Sequence, residues 1–304
     1  MSSKHQTNLR LTTLCALIVI AGFVVQLLKQ PTLAEGLFRI SVIDIGQGDA
    51  ILLDTPHGQH ILVDSGPSSD TLGVLNQYLA APRTIRLAVA SHSHADHIGG
   101  FPAIFHEYPV QEVWISGAVT TTNVYTHWLE AIKASSAKTR VVAAGVRDTI
   151  DGLEIAVLHP IQTVEGDRLE EEHDGTIVMK VSYGAVSILL TGDLAANHEE
   201  DILVNDRVAV AATILKVTHH GSKYGSSDVF LDAVHPKVAV LSAGVDNKFG
   251  HPHQETLDRL SERHIPLYRT DVNGTVQFVT DGARLWVQPE RGAKEEVDII
   301  GAAR

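Results

Sequence analysis

From Leu37 onward, short apolar runs alternate with glycine-bearing polar turns and with longer stretches of helical period. Phe38–Ile45, Ala50–Asp54 and His60–Asp64 are aliphatic runs separated by Gly46-Gln47-Gly48-Asp49 and Pro56-His57-Gly58-Gln59. Runs of this length with turn residues between them predict three antiparallel strands. Thr71–Leu79 predicts a helix, ended by the breaker Pro82, and Ile85–Ala90 predicts a buried strand. Glu112–Ile115 reads as a further strand and Val124–Ala134 as a helix. The second half repeats the rhythm, with strands at Leu153–Leu158, Thr176–Tyr183, Val186–Thr191, Ile214–Thr218, Val238–Leu241, Thr275–Val279 and Ala283–Val287. Its helices fall at Ala195–Val204, Ser227–Val234 and His253–Glu262. Two mixed sheets, each covered by helices on its outer face, account for this order, an α/β (α+β) architecture. The body spans 36–290, and the charged tail 291–304 is expected to be mobile.

The N-terminus differs in kind. Lys4 and Arg10 precede an apolar run from Leu11 to Leu28, which Lys29-Gln30-Pro31 ends. Positive charge before such a run predicts an export signal or membrane anchor over 1–35, with the body outside the cytoplasm. Cleavage after Ala34 would release a periplasmic or extracellular protein. An uncleaved leader would hold it to the outer face of the cytoplasmic membrane through residues 11–28.

Composition narrows the picture. Hydrophobic residues make up 44% and charged residues 20% of 304 positions, enough for one large globular core. The formal net charge of −12 counts against a high-affinity nucleic-acid surface. It does not exclude a phosphodiester substrate, because bound divalent cations add local positive charge. The single cysteine, Cys15, lies in the N-terminal run, so the body has neither a disulfide framework nor a thiolate metal site.

Histidines number 17, and the densest group is Ser91-His92-Ser93-His94-Ala95-Asp96-His97-Ile98-Gly99-Gly100, directly after a predicted strand. Imidazole nitrogen and carboxylate oxygen suit zinc, and also manganese or iron. His92 and His94, two apart in extended chain, point the same way and can grip one ion. The turn that follows can aim Asp96 and His97 at a neighbour. Acids and histidines end other predicted strands: Asp64 before Ser65-Gly66, Asp193 after Thr191-Gly192, and His219-His220 before Gly221-Ser222. His173 and Asp174 precede the strand beginning near Thr176.

These residues resemble the metallo-β-lactamase superfamily. More narrowly, Asp44-Ile-Gly-Gln-Gly-Asp49-Ala, Leu190-Thr-Gly-Asp193, Leu215-Lys-Val-Thr-His-His-Gly-Ser222, Gly250-His-Pro-His253 and Arg269-Thr-Asp271…Gly274 resemble the lactamase-like domain of the competence protein ComEC. The resemblance runs from about Phe38 to Val287. It implies a four-layer αββα sandwich with two divalent cations, zinc or else manganese, between the sheets. His92, His94 and His173 would bind the first ion, and Asp96, His97 and His220 the second. Asp193 would bridge them and Asp64 would orient the histidine loop. Asp174 stands as the alternative to His173, and His219 as the alternative to His220. His219 or Ser222 would meet a substrate phosphate, with Lys223 a further candidate, and His219 or His251 would supply the leaving-group proton. Asp96, Asp193, His219 and His251 are thus the expected catalytic residues; His159, before Pro160, is a weaker candidate for the ligand position of His173 and is expected to cap a turn.

The resemblance further implies hydrolysis by water ionised between the cations, on a phosphodiester such as single-stranded DNA. A lactone, thioester or phosphocholine-type ester on the same centre is the alternative. A non-catalytic binding module fits least, because the ligand motifs are intact.

Overall fold

The computed structural model describes residues 35–206 and 209–299. The predicted signal or anchor lies outside the described residues except for Glu35. The first strands are β1 (Phe38–Val42), β2 (Ile51–Asp54), β3 (His60–Val63), β4 (Ile85–Val89), β5 (Glu112–Ile115) and β6 (Lys138–Val141). The chain then crosses to a second sheet: β7 (Arg147–Ile150), β8 (Leu153–His159), β9 (Val178–Tyr183), β10 (Val186–Leu190), β11 (Ile214–Lys216), β12 (Val238–Leu241) and β13 (Leu267–Arg269). It returns to the first sheet with β14 (Val276–Thr280), β15 (Leu285–Pro289) and β16 (Glu295–Val297). Among the described residues the strand orders are β16-β15-β14-β1-β2-β3-β4-β5-β6 and β13-β12-β11-β10-β9-β8-β7.

Alternation along each strand builds the layers. Ile51 and Leu53 of β2, Ile61 and Val63 of β3, and Leu87 and Val89 of β4 face the second sheet. They meet Ile188 and Leu190 of β10, Ile214 of β11 and Val238 and Val240 of β12 in one core. The intervening Leu52, Leu62 and Ala88 face outward onto helices α1 (Asp70–Leu75), α2 (Ala95–Ile98), α3 (Phe101–Glu107) and α4 (Asn123–Ser135). Leu189, Leu215, Ala239 and Leu241 do the same towards α5 (Ala196–Asp206), α6 (Asp228–Val234) and α7 (Gln254–Glu262). A central strand apolar on both sides therefore commits to a double-covered sheet, and the layers run αββα as expected. Capping fixes two helix starts: Thr122 accepts from Tyr125 N at 3.3 Å, and Ser227 from Phe230 N at 3.3 Å.

The predicted meander β1-β2-β3 and the hairpin β9-β10 both form, antiparallel. The tail differs from expectation. Glu295–Val297 pairs antiparallel with β15, Glu295 accepts from the Tyr268 hydroxyl at 3.2 Å, and Ile299 packs on the inter-sheet core. Charged side chains hid this edge strand, whose outward face has no apolar partner to demand. Residues 300–304 lie outside the described residues.

The site follows from strand direction. β3, β4 and β5 run parallel, as do β10, β11, β12 and β13. The carboxyl ends of each set gather on one edge, where open α/β sheets carry their ligands. Asp64 follows β3, the histidine loop follows β4, Asp193 follows β10 and His219-His220 follows β11. β9 is antiparallel to β10, so the short 3₁₀ turn Glu172–Gly175 before it brings His173 to the same edge. Among the described residues, no helix is long and apolar enough to cross a membrane.

Candidate metal centre

Asp64 organises the histidine loop. It sits just past β3 with φ 59°, which turns its carboxylate back under β4. One oxygen accepts from Ser91 N at 2.7 Å, and the other from Ser91 Oγ at 2.7 Å and His97 Nδ1 at 2.8 Å. Burial raises the Asp64 pKa even though His97 draws it down. With Nδ1 engaged, His97 presents Nε2 to the centre, the arrangement by which a carboxylate fixes a ligating imidazole. Asp64→Asn is expected to weaken divalent-cation binding by roughly 10–100-fold, measured by competition with a chromogenic chelator. Unchanged affinity would show that Asp64 has no orienting part.

Two ligand groups converge. His92, His94 and His173 place one nitrogen each within 4.8 Å of one another, and so do the ligand atoms of Asp96, His97, Asp193 and His220. His92 Nε2 and His94 Nδ1 are 3.0 Å apart. The other nitrogen of His94 lies 3.8 Å from Glu172, whose carboxylate accepts from Ser93 Oγ at 2.7 Å and Thr120 Oγ1 at 3.0 Å. Asp193 is the hub: one of its oxygens stands 3.4 Å from His97 Nε2, 3.5 Å from His220 Nε2, 3.6 Å from His219 Nε2 and 3.9 Å from His173 Nε2. Asp96 lies 3.5 Å from His220 Nε2 and 3.9 Å from His97 Nε2.

The donor set fits a divalent cation. Nε2 of His97, His173 and His220 and Oδ1 of Asp193 are buried without any hydrogen-bond partner. Each such atom costs about 1–3 kcal/mol when left unsatisfied, and these point into one space. Nitrogen and oxygen ligands on a cation would satisfy them together. The electrostatics agree. Burial holds His92 well below the usual imidazole range and lowers His173 to about 4, against the pull of Asp193. Burial also opposes charge on His97 and His220, but there Asp193 prevails, and His220 is raised to about 9. The same imidazoles hold Asp193 well below the carboxylate range in spite of its burial.

Local backbone geometry makes the cluster possible. His219 and His220 both occupy the left-handed region, with φ 48° and 52°. Non-glycine residues rarely do so in succession, and the turn swings consecutive rings to the same cluster. His220 Nδ1 then donates to Ser242 O at 3.0 Å. Gly48, at φ 125°, packs so closely that a Cβ would collide with Asp96 O.

The structure places the remaining candidates. His173 enters the cluster, whereas Asp174 turns away to His198 Nε2 at 2.8 Å. His219 and His220 both reach Asp193, so the choice between them dissolves into two positions around one carboxylate. His251 lies just outside, its ring 5.5 Å from that of His219, with a buried Nδ1 that has no partner. His159 is spent on Thr176 O at 2.6 Å, away from the cluster. Lys223 stands at the rim, its backbone N donating to His253 Nδ1 at 3.2 Å.

Sequence reasoning assigned no role to Asp49 and Lys216. Lys216 is fully buried on β11, and its Nζ lies 2.8 Å from Asp49 Oδ2. Asp49 Oδ1, otherwise unpartnered, is 3.7 Å from His220 Nδ1, and Asp49 N donates to Asp96 O at 3.2 Å. Burial opposes the Asp49 charge, but Lys216 and then His220 lower its pKa overall. The signal was present: a lysine inside the run Ile214-Leu215-Lys216-Val217 demands a buried anion.

A four-layer αββα sandwich with histidines and aspartates gathered at its strand ends defines a protein of the divalent-metal hydrolase type. The model of the metallo-beta-lactamase superfamily matches residues 43–245, and the chain belongs to that family. It is similar to ComE operon protein 3 of Bacillus subtilis, 30% identical over 79% of this chain and 33% of that one. It is also similar to the competence protein ComA of Neisseria gonorrhoeae, 30% identical over 86% of this chain and 35% of that one. The chain thus spans about a third of the length of these relatives. Among solved structures, the metallo-beta-lactamase fold protein YhfI from Bacillus subtilis superposes with a TM-score of 0.54 at 13% identity, over 80% of this chain and 99% of that one. A CmlA beta-hydroxylase variant superposes with a TM-score of 0.51 at 13% identity, over 83% and 54%. These two likenesses concern the fold alone, and a fold carries many chemistries.

Proposed function

We propose that this protein is a two-metal phosphodiesterase acting outside the cytoplasm on single-stranded nucleic acid. The observation that carries the reading is the pair of adjacent ligand groups, His92/His94/His173 and Asp96/His97/His220, with Asp193 reaching both. When bound, two divalent cations supply Lewis-acid polarisation and lower the pKa of water. The chain's own residues do the rest. Asp64 holds the tautomer of His97, and the Glu172 carboxylate faces His94 Nε2 at 3.8 Å. Asp49 and Lys216 brace the turn that carries His220. Burial lowers His251 to about 4, so near pH 7 its ring is neutral. A neutral ring there offers its N–H to a substrate oxygen. The competence-protein relatives support a nucleic-acid substrate, and the apolar run at 11–28 after Lys4 and Arg10 supports export.

The test uses the full chain, purified in mild detergent. Bis-p-nitrophenyl phosphate and a single-stranded oligonucleotide are expected to be hydrolysed with zinc or manganese present. A chelator should abolish turnover and added cation restore it. Bound cation with turnover of a lactone or thioester, and none of either diester, would overturn the reading in favour of a carboxylic-ester hydrolase.

A further inference from the structure

Among the described phenylalanine, tyrosine and tryptophan residues, only Tyr224 and Phe249 are exposed, at 68% and 49%. Tyr224 follows His219-His220 by four positions in the same loop, where Ser222 N donates back to His219 O at 2.8 Å. Phe249 stacks on His251, with ring centroids 5.7 Å apart and 22° between planes. His251 in turn meets His219, which touches Asp193. A short chain of rings therefore leads from the centre to solvent.

Each exposed ring carries a cation. Lys223 Nζ lies 5.3 Å from the Tyr224 ring centroid, and Lys248 Nζ lies 4.9 Å from that of Phe249. The backbones beneath are anchored. Asn247 donates to Gly244 O at 2.9 Å and His251 O at 2.6 Å, and accepts from Phe249 N at 3.2 Å and His251 N at 3.0 Å. Tyr224 O accepts from Ala196 N at 2.9 Å, and Arg259 donates to Lys223 O at 3.0 Å. The rings thus project from ordered turns, which lowers the ordering cost of binding. A chain of net charge −12 has set two lysines beside its two exposed rings, at the mouth of its only cluster of paired ligand groups among the described residues.

Resting on the phosphodiesterase reading, we infer that Tyr224 and Phe249, with Lys223 and Lys248, form a single-strand binding rim at the mouth of the centre. Unpaired bases stack on the two rings while the ammonium groups meet the phosphates between them, the combination by which single strands are held without sequence preference. A duplex hides its base faces and cannot use the rings. Two platforms make a modest surface, in keeping with a chain of formal net charge −12.

The test measures fluorescence anisotropy of a labelled twelve-residue oligothymidylate with the full chain in chelator, so that no cleavage occurs. The double variant Tyr224→Ala/Phe249→Ala is expected to bind at least about tenfold more weakly, with an unchanged thermal melt. Tyr224→Phe/Phe249→Trp should keep binding, and a duplex of equal length should bind more weakly than the single strand. Equal affinity of parent and alanine variant, or of duplex and single strand, would overturn the rim. Hydrolysis of bis-p-nitrophenyl phosphate by the unaltered chain is read separately. Turnover with alanine-insensitive binding removes the rim alone, and ring-dependent binding with no turnover removes the phosphodiesterase alone.

Discussion

Asp193→Asn is expected to reduce hydrolysis of bis-p-nitrophenyl phosphate by roughly a thousandfold or more, with cation content falling alongside. Asp193 is the carboxylate that approaches His97, His173, His219 and His220 within 3.9 Å, and among the described residues no other carboxylate reaches both ligand groups in the same way. Asparagine keeps the shape but removes the charge. The buried imidazoles His97 and His220 then lose the anion that raises their pKa values, and a cation loses its shared ligand. The fold should survive, because Leu190 and Leu194 on either side remain packed. Metal analysis, a melt and steady-state kinetics on one preparation check the three parts. Full turnover by a folded Asp193→Asn variant would remove Asp193 from the site.

Lys216→Met should destabilise the body more than any surface change. The variant strands the Asp49 carboxylate, which is fully buried and has Lys216 as its charge partner at 2.8 Å. Breaking a buried pair on one side costs about 3–5 kcal/mol. For a domain of this size that corresponds to a fall in melting temperature of roughly 6–20 °C. Asp49→Asn/Lys216→Met leaves no lone charge and should regain much of the loss, which a double-mutant cycle reads directly. A single variant that melts with the parent would show that the pair contributes nothing. The pair also joins two motifs that the sequence keeps far apart, Asp44–Asp49 and Leu215–Ser222.

The contrast between what was legible and what was not has a physical pattern. The central strands announced themselves, because Leu52 between Ile51 and Leu53 must be apolar on both faces of a covered sheet. The strands that sequence reasoning missed, β6, β7, β13 and β16, are the edge strands of the two sheets. Lys138-Thr139-Arg140-Val141 and Glu295-Glu296-Val297 show why: edges are charged to discourage further pairing, which erases the apolar signal. The candidate ligands were legible because imidazoles and acids at strand ends have few other uses. Asp49, Glu172 and Lys216 were not read as functional, since each acts through a partner that only folding brings near. The two open choices at 173/174 and 219/220 needed coordinates, because neighbouring residues on a turn differ in direction and not in spacing.

Strand β1 lies between β2 and β14, with Phe38 opposite Thr280 and Val42 opposite Val276. Among the described residues, the first strand therefore waits for a strand much later in the chain before both its flanks are covered. Until Val276–Thr280 is available, the nascent body carries an open edge that another polypeptide can grasp. Closure of this sheet is consequently contingent on Val276–Thr280, and a chain cut short before that point would be left adhesive.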